Sequence, residues 1–247
     1  MARSKHIDDI LGAWPYDPSS IKVRMCKGAD GRDILQMRVD MGLLQMEVEG
    51  RPDGERPHGC DTFFDYLLSR VIHDGDDLEL SEDECLEIDR ELVQFYHRRV
   101  CWLRLEQYRE VVRDVDHTLS LMDFCQRHAA DENWIMAHEQ YRPFVMFHKI
   151  QATALAELEE DGPEVAVQSI TQGLQRMRHL FEDYEVEDRF EDDELVQRLV
   201  QMRETLREAY SVGRTLRERL DEAVASERYE LAAQLRDELR RRERARR

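Results

Sequence analysis

Thr215 to Glu243 reads TLRERLDEAVASERYELAAQLRDELRRRE, and the rest of the chain is best read outward from this stretch. Leu216, Leu220 and Ala223 recur at spacings of four and three, and Ala232, Leu235 and Leu239 repeat the pattern further on. That is the seam of an amphipathic helix written twice. The break falls at Ala225 to Arg228, where Ser226 is placed to cap the second helix and Tyr229 puts an aromatic ring at the closed end. A helical hairpin follows. So small a unit buries one stripe per helix, and pieces below about 40 residues seldom hold together unaided, so the hairpin is expected to dock on something. Small Ala223, Ala232 and Ala233 allow close helix approach, and Arg236 and Asp237 lie beside the seam, where a charge pair can set register and partner choice. The residues expected to carry docking are Leu216, Leu220, Ala223, Val224, Tyr229, Ala232, Ala233, Leu235, Arg236, Asp237 and Leu239.

The run Leu220, Ala223, Val224, Glu227, Tyr229, Glu230, Ala232, Ala233, Leu235, Arg236, Asp237, closing on AAxLRDEL, resembles the UVR motif shared by the excision-repair proteins UvrB and UvrC. The resemblance covers only the C-terminal end of the chain. It implies a hairpin that pairs with another copy of itself and carries no catalytic residues. The chain lacks the helicase and nuclease motifs of UvrB and UvrC. The stress regulator McsA and the Clp ATPase ClpC also carry such motifs, but this chain has no C-x-x-C pair of the McsA kind. Some plant nucleases join a UVR motif to a β-rich catalytic domain, yet no cutting motif stands in the β-patterned region here.

Hydrophobic residues make up 41% and charged residues 36%, with a net charge of -18, which suits a helix-rich protein with a modest core. That field repels a phosphate backbone, so nucleic acid is not an expected partner of the body. From Arg214 onward arginines outnumber acidic residues, and the tail Arg240–Arg247 is the one place where a weak phosphate contact is expected. No apolar run approaches the roughly 20 residues that cross a bilayer, and MARSKHIDDILGAW has no apolar segment of a signal peptide. Five widely spaced cysteines argue against a disulfide framework and a zinc site. The expected location is the cytoplasm, with no membrane partner and no cofactor.

The fold class expected is α+β, predominantly α. Residues 1–75 form a small α+β domain: an irregular arm around Trp14 and Tyr16, then a three-stranded antiparallel meander over Ile21 to Val48. The loop Gly50 to Gly59 leads from it to a covering helix over Asp61 to Ile72. Ser81 and Glu84 make a capping box for a helix reaching Leu105. Residues 76–185 resemble a degenerate tetratricopeptide layer, with corners at Glu106-Gln107 and Asp161-Gly162-Pro163, Tyr96 matched to Phe147, and an extra helical piece over Asp131 to Tyr141. An acidic, solvated connector is expected over 186–194. Leu195, Leu199, Met202, Leu206, Ala209, Gly213, Leu216, Leu220 and Ala223 then step by four and three, so 195–247 reads as one long heptad helix whose tip is the UVR hairpin (215–243), weakest at Gly213.

No phosphate loop, dinucleotide fingerprint, H-E-x-x-H or G-x-S-x-G is present. His97 and Cys101 share a helix face, but Tyr96, Val100 and Trp102 around them speak for packing. No catalytic, cofactor-binding or metal residue is therefore assigned. The sequence points to a non-enzymatic adaptor that docks on another UVR-bearing protein or on a second copy, as an accessory of UvrABC-type excision repair. A Clp-protease or arginine-kinase adaptor and a UVR-bearing nuclease are the alternatives.

Overall fold

Alternating apolar residues between Val23 and Glu47 produce three strands, β1 (Val23–Lys27), β2 (Asp33–Val39) and β3 (Gly42–Glu47), in the computed structural model. It describes residues 7–75, 78–213 and 216–245, and the side chains of 73, 74, 217, 221, 239 and 242–245 lie outside the description. The strands pair antiparallel in the order β1-β2-β3, with Val23 opposite Met37 and Val39 opposite Gly42. The expected meander is present. Gly31 supplies the left-handed residue of the first turn, with φ +89. The arm in front is less irregular than expected. It holds α1 (Ile7–Ala13), whose Asp8 and Asp9 suit a helix N-terminus. Trp14 does pin it: the Arg24 guanidinium stands 4.3 Å from the ring centroid, and Arg38 Nε donates to the Trp14 carbonyl at 2.8 Å.

Four further helices and the start of a fifth belong to the first of two compact units, Met1–Val145. The four are α2 (Phe63–Asp74), α3 (Glu82–Arg104), α4 (Tyr108–His128) and α5 (Glu132–Glu139). Thr62 caps α2, Asp131 caps α5, and Ser81 with Glu84 forms the complete capping box that opens α3. One expectation changes. The helix that meets β1 and β2 is α3, whereas Phe63, Phe64 and Leu67 of α2 are taken up by Ile88, Leu121 and Phe124.

Several charged side chains sit in this interior, and four of the described ones, Arg51, Glu91, Arg98 and Asp114, are at most 1% exposed. Each is paired. Arg98 binds both carboxylate oxygens of Asp114 and donates to Gly50 O at 2.7 Å and Glu47 O at 3.2 Å. Glu91 accepts the free N–H groups of Phe63 at 2.7 Å and Phe64 at 3.1 Å, so a carboxylate from α3 caps α2. Arg51 reaches Glu87 at 2.9 Å. These bonds clamp the 50–59 loop onto α3 and α4. Arg51 and Pro52 are the buried part of the loop, and the rest of it is largely exposed.

The second unit is Met146–Arg247. It holds most of α6 (Arg142–Glu160), then α7 (Pro163–Asp183) and α8 (Glu194–Tyr210). Gly162, at φ +94, turns the corner into Pro163, the first residue of α7. Gly173 lies flat against Ile150, and Phe147, Ile170, Met177 and Leu199 build the core around that contact. The acidic side chains between α7 and α8 are mostly exposed, but the stretch is fastened at one point. Its 3-10 turn, Glu187–Asp192, buries Phe190 edge-on to Phe181 at 5.5 Å, with the Arg178 guanidinium 4.1 Å above the Phe190 ring. One aromatic in an acidic run is enough to fasten it. Tyr96 of α3 and Phe147 of α6, matched positions in the sequence, differ in burial: Tyr96 is 41% exposed and Phe147 3%.

The long heptad helix is also interrupted. Ser211 takes φ 54 at the C-cap of α8, the N–H of Val212 bonds back to Arg207 O at 3.0 Å, and helix resumes at Leu216. Gly213 therefore stands in the break and not inside a helix. Arg207 of α8 pairs with Glu218 across it. The last two helices are α9 (Leu216–Ala225) and α10 (Tyr229–Ala245).

Candidate functional site: the C-terminal helical hairpin

A tight, fully hydrogen-bonded turn makes α9 and α10 a hairpin. Arg228 N–H bonds to Ala223 O at 2.7 Å and Glu227 N–H to Val224 O at 2.9 Å, with Glu227 left-handed at φ 54. That pair of bonds is a Schellman closure, which satisfies the last carbonyls of a helix without glycine. The role expected for Ser226 is reassigned. It is the C-cap of α9, and α10 starts on the carbonyl of Arg228, which accepts from Ala232 N–H at 3.0 Å.

The seam closes as the spacing predicts. Ala223, Ala232 and Leu235 are buried, with Leu216, Leu220 and Leu231 packed against them and half-exposed. Alanines at 223 and 232 put no bulk between the helices, so the backbones approach closely. Leu231, four before Leu235, joins the seam in addition to the expected residues. Ala233 is half-buried, and the side chain of Leu239 lies outside the described residues, as do Arg214 and Thr215.

Outside the seam the hairpin is apolar in places and charged in others. Val224 is 51% and Tyr229 68% exposed, both at the closed end. Arg236 and Asp237 pair with each other at 3.4 Å, each more than half exposed, so the charge pair expected beside the seam exists but stands in solvent. Of the basic tail, Arg240 and Arg241 are exposed, and the side chains from 242 on are outside the described residues.

Elsewhere the chemistry is quiet. Burial pushes the Cys101 thiol up to about 12 and holds the neighbouring His97 below the usual imidazole range, a combination that keeps the thiol protonated. Among the described residues no group of His, Cys, Asp and Glu could hold a metal ion, and no helix is long and apolar enough to cross a membrane.

Comparison with known proteins finds no match to the chain among curated proteins and none among solved structures. Residues 214–244 match the family model described as the UvrB/uvrC motif, and the hairpin of α9 and α10 is that UVR motif.

Proposed function

We propose that the chain is a non-enzymatic adaptor that docks through its C-terminal hairpin on the UVR hairpin of another protein or of a second copy, as an accessory of UvrABC-type nucleotide excision repair. The observation that carries this is the unfinished core of the matched segment: three residues are buried, while Leu216, Leu220 and Leu231 remain half-exposed and Val224 and Tyr229 stand out beside them. Two such hairpins packed seam to seam would form a four-helix bundle and remove that apolar surface from water. The interaction residues are those of the seam and the closed end: Leu216, Leu220, Ala223, Val224, Tyr229, Ala232, Ala233 and Leu235, with Leu239 completing the heptads and Arg236 and Asp237 selecting the partner at the rim.

The test is capture of purified UvrB, UvrC and a ClpC-type ATPase by the full chain and by a chain ending at residue 213, with sedimentation of each alone. Capture of UvrB or UvrC that disappears with the hairpin supports the repair reading. Hairpin-dependent capture of ClpC alone would move the adaptor to proteolysis. Unchanged sedimentation and unchanged capture after truncation would overturn the docking role itself.

A further inference from the structure

Arg98 and Arg99 are neighbours on α3, both almost fully buried, and they differ in one respect. Arg98 is saturated, as described above. Arg99, at 2% exposure, has no hydrogen-bond partner at Nε or Nη1. Asp114 acts on it through space, but the carboxylate oxygens of Asp114 already receive Arg98 at 2.8 Å each. Burial pushes the Arg99 pKa down to about 10, which leaves it a cation at neutral pH. Its guanidinium carbon lies 5.7 Å from the centroid of the Tyr96 ring, a cation–π contact that carries no full counter-charge, and a buried cation without one is strongly unfavourable.

Arg99 lines a cavity of about 690 Å³ in the first unit. That volume is in the range of small-molecule sites, about 300–1,000 Å³. Its walls are mainly apolar, with Leu92 and Tyr96 from α3, Met122 from α4, and Phe144 and Val145 from α6. The acid in the lining is Asp89, and its Oδ1 is already held by Trp134 Nε1 at 3.0 Å and His138 Nε2 at 2.9 Å. The cavity thus has an unspent positive charge and an acid that is already engaged. A phosphate would need several donors to replace its hydration, and this apolar lining offers one guanidinium; a carboxylate matches that fork with two oxygens.

We propose that this cavity binds a small carboxylic acid with an apolar body, its carboxylate on Arg99 and its body against Leu92, Met122 and Phe144. The site is separate from the hairpin, and its test does not depend on the docking reading.

The experiment is calorimetric titration of the full chain with octanoate, dodecanoate and 2-naphthoate, each beside its neutral amide. At least one acid is expected to saturate and to bind at least tenfold more tightly than its amide. Arg99→Met should abolish that preference, and it should fold, because it removes an unpaired buried charge. Ala137→Trp, at an exposed position in the lining, obstructs the cavity with Arg99 intact and should weaken the acid by a similar factor. Failure of all three acids to saturate, equal binding of acid and amide, or undiminished acid binding by either variant overturns the proposal.

Discussion

Asp114 grips Arg98 through two hydrogen bonds of 2.8 Å, Nε to Oδ2 and Nη2 to Oδ1, with both side chains sealed from solvent. Removing one partner strands the other charge in the interior. Asp114→Ala is therefore expected to lower the unfolding free energy by about 3–5 kcal/mol, and Arg98→Met with Asp114→Leu by much less. Urea titration of the three proteins decides it: equal losses in the single and double variants would mean that the packing matters and the pairing does not.

Gly173 has no room for a methyl group. An added Cβ would lie 2.5 Å from Cγ1 and Cγ2 of Ile150. Alanine gains about 1 kcal/mol of helix propensity, and overpacking costs about 1–3 kcal/mol. Gly173→Ala is expected to destabilise the second unit, and to destabilise it less when Ile150→Ala has already opened the space. A double-mutant cycle measured by thermal unfolding reads the coupling.

Cys101 and Cys125 both have thiols pushed up to about 12 by burial from an ordinary value of 9.0. Below about pH 9 both states keep these protons and the stability is full; above it the unfolded chain loses them first, so stability falls as pH rises toward 12. The urea midpoint should drop between about pH 8.5 and pH 10.5, with a shallower slope in a Cys101→Ala, Cys125→Ala variant. Thiol reagents should reach Cys26 and Cys60 in the native protein and leave Cys101 and Cys125 untouched until it unfolds.

Tyr229 and Val224 are exposed and outside the seam, so Tyr229→Asp and Val224→Asp should leave the hairpin folded. An exposed aromatic at an interface centre is commonly worth about 2 kcal/mol or more, so each variant is expected to weaken UVR pairing by at least tenfold. Circular dichroism checks the helices and sedimentation the pairing. Unchanged pairing in both variants would move the docking face elsewhere on the hairpin.

Glu227 holds a left-handed conformation at φ 54 that costs an ordinary residue about 1–2 kcal/mol. Glu227→Gly should stabilise the hairpin by up to about 1 kcal/mol once the entropy lost by glycine is counted. Slower amide exchange at Arg228 and Ala232 is the measurement, and faster exchange would contradict the assignment of the turn.

Periodicity carried much of this architecture. The meander, the capping box at Ser81 and Glu84, the corner at Gly162-Pro163 and the hairpin seam all follow from spacings within one element. Two things were not legible that way. Leu216 and Leu220 continue the step of Leu195 to Leu206 in phase, because the linker that breaks the helix happens to preserve the count; only the left-handed backbone of Ser211 shows the interruption. The buried charges are hidden from a hydropathy pattern, which places charged residues in solvent. A signal did exist: Ile88, Glu91, Phe95, Arg98 and Trp102 step by three and four along one face of α3, all of them buried, so two charges stand in register with the core stripe. The cavity beside Arg99 depends on where α5 and α6 begin relative to α3, which no local spacing encodes.

The break between α8 and α9 has a further consequence. The core around Phe147 takes in Leu206 and Val212, the one around Ala223 takes in Leu216, and the two share no residue. Heat should therefore melt the chain in more than one step, with the tip going first. A partner at a hundredfold its dissociation constant would add about 2.7 kcal/mol to the tip. Partner abundance then governs how long the last thirty or so residues survive a protease, and the half-life of the intact C-terminus becomes a readout of occupancy.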